Sequence, residues 1–162
     1  MPEIARIWAP GNIVRNQQAG PEVLRPFEDK PLSDQYGFAG GFATSFRLAA
    51  GAEIWFHFPF ATPVMLPGAP QLYLDHTSLL WEAKDGAEIA WVTIHHGGAE
   101  RIELTSRLTI LAGRHVEAAS VFPARPRLHL KYGVQMCVLV RSLQNEGVVQ
   151  FYGAGLSFSD QP

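Results

Sequence analysis

The sequence predicts an all-β domain, an antiparallel two-sheet sandwich of jelly-roll-like type, with a closed β-barrel as the second choice. Three observations lead there. Apolar residues recur with a period of two in one segment after another, the spacing of a half-buried strand. Turn residues punctuate the chain at roughly ten-residue intervals, and 162 residues include 15 glycines and 12 prolines. No segment carries an apolar stripe at helical spacing for more than about two turns. Apolar residues make up 47% of the chain, enough to bury a core and to exclude wholesale disorder.

The first fifty residues give the weakest pattern. Residues 4–8, 13–14, 22–27 and 38–48 each suit a short strand, and 28–34 read as an exposed loop. Pro26 and Pro31 oppose a helix there. The expectation is one domain over residues 1–162, with 1–35 as a loop-rich N-terminal segment.

Residues 52–60 alternate most plainly. Ile54, Phe56, Phe58 and Phe60 share one face, and Glu53, Trp55, His57 and Pro59 share the other, with Pro59 placed at a strand end or edge. Residues 72–83 form a long strand in which Leu72, Leu74, His76, Ser78 and Leu80 share a face, so Trp81 falls on the opposite one. Lys84-Asp85-Gly86 is a strong hairpin signal. Residues 87–95 then return, with Ile89, Trp91 and Thr93 on one face and Ala90, Val92 and Ile94 on the other, apolar on both sides as in a central strand. His96-Gly97-Gly98 ends it. Residues 101–111 alternate again, with a helix as their competitor. A strand over 114–122 is closed by Pro123 and Pro126. A long run over 127–141 carries a bulge or bend at Gly133. Residues 145–147 turn, and 148–158 return with Gly153 and Gly155 as bend points.

Composition narrows the function classes. The formal net charge is −2, from 13 basic and 15 acidic residues, so no broad basic field exists to hold nucleic acid or an anionic membrane. Arg114, Arg125, Arg127 and Lys131 are a local cluster without the interleaved aromatics of a single-strand groove. The single cysteine, Cys137, forms no internal disulfide and reads as a buried, inert thiol. The charge-free stretch 54–74 is long enough to cross a bilayer, yet Pro59, Pro63, Pro67 and Pro70 break any helix in it. No signal peptide is visible, and a cytoplasmic protein is expected.

Candidate chemistry is sparse. His95-His96 points two rings to opposite faces of a strand, whereas a cupin-type metal site needs His-x-His on one face. Gly-x-Ser-x-Gly does not occur, and Gly153-x-Gly155 lacks the following helix of a phosphate site. No catalytic residue, metal site or cofactor is assigned. Among Trp8, Trp55, Trp81 and Trp91, the last reads as buried, while Trp55 and Trp81 lie opposite the apolar faces of their strands. His57 shares the face of Trp55. His76 approaches from a neighbouring strand, and Asp75 or Glu53 beside a histidine suits a general base.

The candidate contact set is therefore Trp55, His57, His76 and Trp81. The leading expectation is a non-enzymatic module that binds a small molecule or carbohydrate, or self-associates, through that aromatic face. One alternative is a cofactor-independent isomerase or cyclase with an apolar β-enclosed pocket and His57 or His76 as acid or base. Another is a structural subunit of a larger bacterial assembly. Low charge and long apolar strands favour a homo-oligomer.

Residues 55–64, Trp-Phe-His-Phe-Pro-Phe-Ala-Thr-Pro-Val, resemble the Trp-Phe-His-x-Pro-x-x-Thr-Pro-Val motif of a family of short bacterial proteins of unknown function. Residues 85–89, 132–134 and 154–158 match further segments of that family, so the resemblance extends over about residues 52–158. It implies an all-β, sandwich-like fold and supplies no catalytic residues.

Overall fold

The computed structural model describes residues 3–18, 20–26, 37–69, 71–98, 100–106 and 110–162, with the side chains of 38 and 39 excepted. The described strands are β1 (Ala5–Pro10), β2 (Arg15–Asn16), β3 (Leu24–Arg25), β4 (Gly37–Gly40), β5 (Ala43–Leu48) and β6 (Glu53–Pro59). They continue with β7 (Tyr73–Lys84), β8 (Ala87–His96), β9 (Glu100–Glu103), β10 (Gly113–His129), β11 (Val134–Ser142) and β12 (Gly147–Ser159). One 3-10 turn, Gly11–Ile13, lies between β1 and β2. The expected loop over 28–34 falls outside the described residues.

Two antiparallel sheets pack face to face and do not close into a barrel. The first runs β10-β7-β12-β5-β3, with β1 beside β12 and β4 beside β5; the second runs β2-β6-β11-β8-β9. From β5 onward the chain changes sheet at every connection except β8 to β9. The eight strands β5-β12-β7-β10 and β6-β11-β8-β9 have the order of a jelly roll, as the alternation predicts.

That order corrects the reading of several turns. Asp85 (φ 57) and Gly86 (φ 92) do reverse the chain. The strands they join are not a paired hairpin, because β7 lies between β10 and β12 while β8 lies between β11 and β9. With both hydrogen-bonding edges of each strand taken, the reversal becomes a corner between sheets. The run over 127–141 likewise splits into β10 and β11 in different sheets. Residues 101–111 yield only the short β9. The Leu104 and Thr105 N–H groups then both donate to Val92 O, and Leu111 exchanges hydrogen bonds with Ile89. Residues 107–109 lie outside the described set. β10 runs on through Pro123 and Pro126 instead of stopping at them. Among the described residues it is an edge strand bonded to β7 alone, and an edge tolerates a missing N–H.

The core fills the space between the sheets. Ile54, Phe56 and Phe58 are buried, as their alternation requires. Phe56 packs 4.6 Å from Phe46 and 5.1 Å from Phe151, and Phe58 lies 5.4 Å from Phe151, centroid to centroid.

In β7 the expected faces are exchanged partway along. Leu74 pairs with Phe158 and His76 with Ser157, so Asp75 is an extra residue on this strand. One extra residue moves every later side chain to the other face. Leu72 and Leu74 are buried, and then so are Thr77, Leu79, Trp81 and Ala83. Trp81 is therefore a core residue, with its Nε1–H donating to Ser120 Oγ at 3.0 Å and its ring stacked 4.9 Å from His115. The expectation of an outward Trp81 is overturned. A similar bulge at Ala90 in β8 leaves Ile89, Val92 and Ile94 in the core and turns Trp91 and Thr93 outward.

Candidate functional site: the outer face of the second sheet

Register decides which residues meet on the outer face of the second sheet. Antiparallel partners point to the same side of a sheet, so rows can be read across the strands. Glu53, Arg141 and Glu88 form one row, with Arg141 ion-paired to Glu88. Trp55, Leu139 and Trp91 form the next. Then come Arg15, His57, Cys137, Thr93 and Glu103, one from each of five strands. Pro59, Gln135, His95 and Arg101 complete the face.

The floor is closed and the walls are open. Cys137, Leu139, Thr93 and Trp91 are buried, while Arg15, Glu53, Pro59, Arg101 and Glu103 at the flanks are exposed. The face is thus a shallow trough along β11. Trp91 is only 6% exposed, but its cover is not the sandwich core. Trp55 tilts against it at 5.5 Å, and the Arg101 guanidinium sits 4.9 Å above its ring. With Ala90 and Leu139, these tryptophans make a small apolar cluster separate from the main core. The trough has a hollow at either end. One, of about 410 Å³, is lined by Pro59, Phe60, His95, Gly98, Gly133, Val134 and Gln135. The other, of about 290 Å³, is lined by Glu53, Ala90, Leu139 and Arg141.

His57 is the polar centre. Its Nδ1 lies 3.1 Å from Cys137 Sγ and accepts from Gln135 Nε2 at 2.9 Å. With Nδ1 accepting, the ring proton sits on Nε2. Burial lowers the pKa of His57 from its ordinary value, and the charge of His95 adds to this. Burial also pushes the Cys137 thiol up, against smaller opposing hydrogen bonds from Gln135 and Thr93. At neutral pH the pair is therefore a neutral imidazole beside a protonated thiol, not the thiolate–imidazolium couple of a cysteine nucleophile.

The remaining histidines lie elsewhere. His96, next in sequence to His95, points to the other side. Its Nδ1–H donates to Glu100 at 2.8 Å, and its Nε2 accepts the N–H groups of Lys131 and Tyr132, both at 3.1 Å. His76 stands on the outer face of the first sheet, its Nδ1 3.0 Å from Asp75 Oδ2. Arg127 Nε donates to the same carboxylate at 2.6 Å. These bonds, led by the one from His76, hold the Asp75 carboxyl below its ordinary value, against a smaller opposing effect of burial. Among the described residues no group of three or more His, Cys, Asp or Glu is gathered for a metal ion.

Of the four contact residues expected from sequence, the trough thus brings together Trp55 and His57, while His76 lies on the opposite face of the molecule and Trp81 in the core. Sequence reasoning missed Gln135, His95 and Arg101 as their neighbours. The alternation in β8 and β11 was visible, but cross-strand register was not, and register alone sets those rows.

The described residues include no helix long and apolar enough to cross a membrane. The chain matches no family model and no curated protein. Its structure is similar to that of a family two carbohydrate esterase from Cellvibrio japonicus, at 9% identity and a TM-score of 0.36, over 98% of this chain and 35% of that one. The chain therefore spans about a third of the length of that enzyme, and a likeness of this degree says nothing of activity.

Proposed function

We propose that the protein is a non-enzymatic binding module that takes a carbohydrate in the trough on the second sheet. The observation that carries this reading is the row structure. A partly exposed Trp55 is held against Trp91, with His57, Gln135, His95 and Arg101 in the same and adjoining rows. A sugar ring has an apolar C–H face and a rim of hydroxyls. An aromatic ring beside fixed neutral and charged hydrogen-bonding groups complements both. The neutral His57 offers its Nε2–H as a donor without a fixed charge.

Two further points favour binding over the alternatives. The protonated thiol and neutral imidazole lack the charge separation that would activate a cysteine nucleophile, which disfavours covalent catalysis by that pair, although a neutral His57 stays competent as a base. In the first sheet, the edge strand β10 carries Pro123, Pro126 and two register shifts, devices that oppose edge-to-edge assembly.

The test is calorimetric titration of the protein with neutral oligosaccharides, namely β-1,4- and β-1,3-glucan, xylan, mannan and chitin fragments. At least one should bind, and Trp55→Ala should weaken it by about tenfold or more, the loss of one aromatic contact of about 1.5 kcal/mol, with a lowered melting temperature from the lost packing on Trp91 but an unchanged far-UV circular dichroism spectrum. Binding that Trp55→Ala leaves intact would place the ligand elsewhere and overturn the reading.

A further inference from the structure

The outer face of the first sheet, on the far side of the sandwich from the trough, carries a second aromatic surface. Trp8 on β1 pairs with Gly155 on β12, which pairs with Ser78 on β7, which in turn pairs with Val121 on β10. Gly153 lies on the same face, two residues back along β12. A Cβ at Gly153 would stand 2.6 Å from the indole Nε1 and 2.8 Å from both Cε2 and Cζ2. A Cβ at Gly155 would stand 2.5 Å from Cε3 and 2.8 Å from Cζ3. Atoms from both halves of the indole therefore lie one side-chain atom's height above the backbone. The ring lies along β12, its Nε1–Cε2–Cζ2 edge over Gly153 and its Cε3–Cζ3 edge over Gly155.

This explains two glycines inside a thirteen-residue strand, where each weakens the strand unless something approaches the backbone closely. The sequence reads them as bend points; β12 has a register shift between Phe151 and Gly153, continues through both glycines, and they form the bed of the ring. The other face of the indole is open, and Trp8 is 43% exposed. A polar rim borders it. Arg6 Nε donates to Ser157 Oγ at 3.3 Å, and Arg6 Nη2 donates to Glu3 at 2.8 Å. Ser157 pairs in turn with His76. Exposed Val121 stands three strands from Trp8, with Gly155 and Ser78 between them. The adjoining row, Pro10, Gly153 and Leu80, adds an exposed proline and a half-buried leucine, so the apolar area around the ring is still small beside the contiguous patch a protein partner needs.

We propose that Trp8 is a second carbohydrate platform, on which a pyranose ring stacks its C–H face while Arg6 and Glu3 meet its hydroxyls. A ring fixed in advance on backbone loses little freedom on binding. With the trough on the opposite face, the module would be bivalent for a polysaccharide. The Trp8 site rests on its own geometry and stands or falls apart from the Trp55 reading.

The experiment is titration of the same oligosaccharide panel into wild type, Trp8→Ala, Trp55→Ala and the double variant, with melting temperature and light scattering for each. Loss of one site in Trp8→Ala, with the Trp55 site unchanged, is expected. Binding abolished by Trp8→Ala and untouched by Trp55→Ala would sink the trough reading and leave this one standing. Unchanged stoichiometry and affinity in Trp8→Ala would overturn the platform, as would a panel in which nothing binds wild type. So would a wild-type dimer that Trp8→Ala converts to monomer, since a second copy would then cover the ring. If Trp8→Ala fails to fold, Trp8→Phe keeps a smaller ring on the glycine bed. Several-fold weaker binding at that site supports the proposal, and unchanged binding overturns it.

Discussion

Trp81→Ala empties the largest fully buried side-chain position among the described residues and is expected to cost about 3–5 kcal/mol. The loss should appear as a lower urea midpoint at unchanged slope. A solvent-facing tryptophan would cost far less, so the measurement also tests the bulge at Asp75. That aspartate sets a pH dependence. Its carboxyl is held low by the hydrogen bond from His76 and by Arg127, so the fold favours its ionised form. The stabilisation is complete above the unfolded value of 3.8 and is lost as pH falls through the lower folded value. Asp75→Asn should therefore melt below wild type at pH 7, and the two curves should converge in strong acid. A gap that persists in acid would assign the effect to packing instead. Arg125 and Arg127, a basic cluster by sequence, both face this one carboxylate, at 3.9 Å and 2.6 Å.

Strand β6 follows its sequence residue by residue, because apolar and polar positions alternate without a break and one face alone is buried. β7 does not. Its leucines occupy both parities, Leu72, Leu74 and Leu80 against Leu79, and a strand so composed offers two defensible faces. The choice falls to the extra residue at 75, which a pattern of alternation cannot reveal. β8 shows the same effect at Ala90. The turn between these strands is legible in its chemistry and not in its partners. Gly86 takes φ 92, a region closed to residues with a Cβ except at a cost. Gly86→Ala is expected to destabilise by about 1 kcal/mol or more, measured by thermal unfolding. A neutral result would mean that the corner between the sheets relaxes to another turn type.

At the scale of the molecule, nearly every connection after β5 crosses from one sheet to the other, and β1 closes on β12 at the far end of the chain, with Ala5 paired to Phe158. Such non-local pairing is slow to form. Refolding followed by tryptophan fluorescence should therefore take milliseconds to seconds, and a microsecond phase with full amplitude would contradict this topology. The all-β class, the approximate limits of β6, β7, β8 and β12, the turn at Asp85-Gly86 and the burial of Cys137 were all present in the order of residues. Each depends on local periodicity, or on the backbone freedom of one or two positions. Three things were not local. The row of His57, Cys137 and Thr93, the burial of Trp81 and the glycine bed beneath Trp8 each join residues dozens of positions apart. Cross-strand register and single-residue bulges decide them, and neither leaves a period in the sequence, because both arise only when one strand is laid against another.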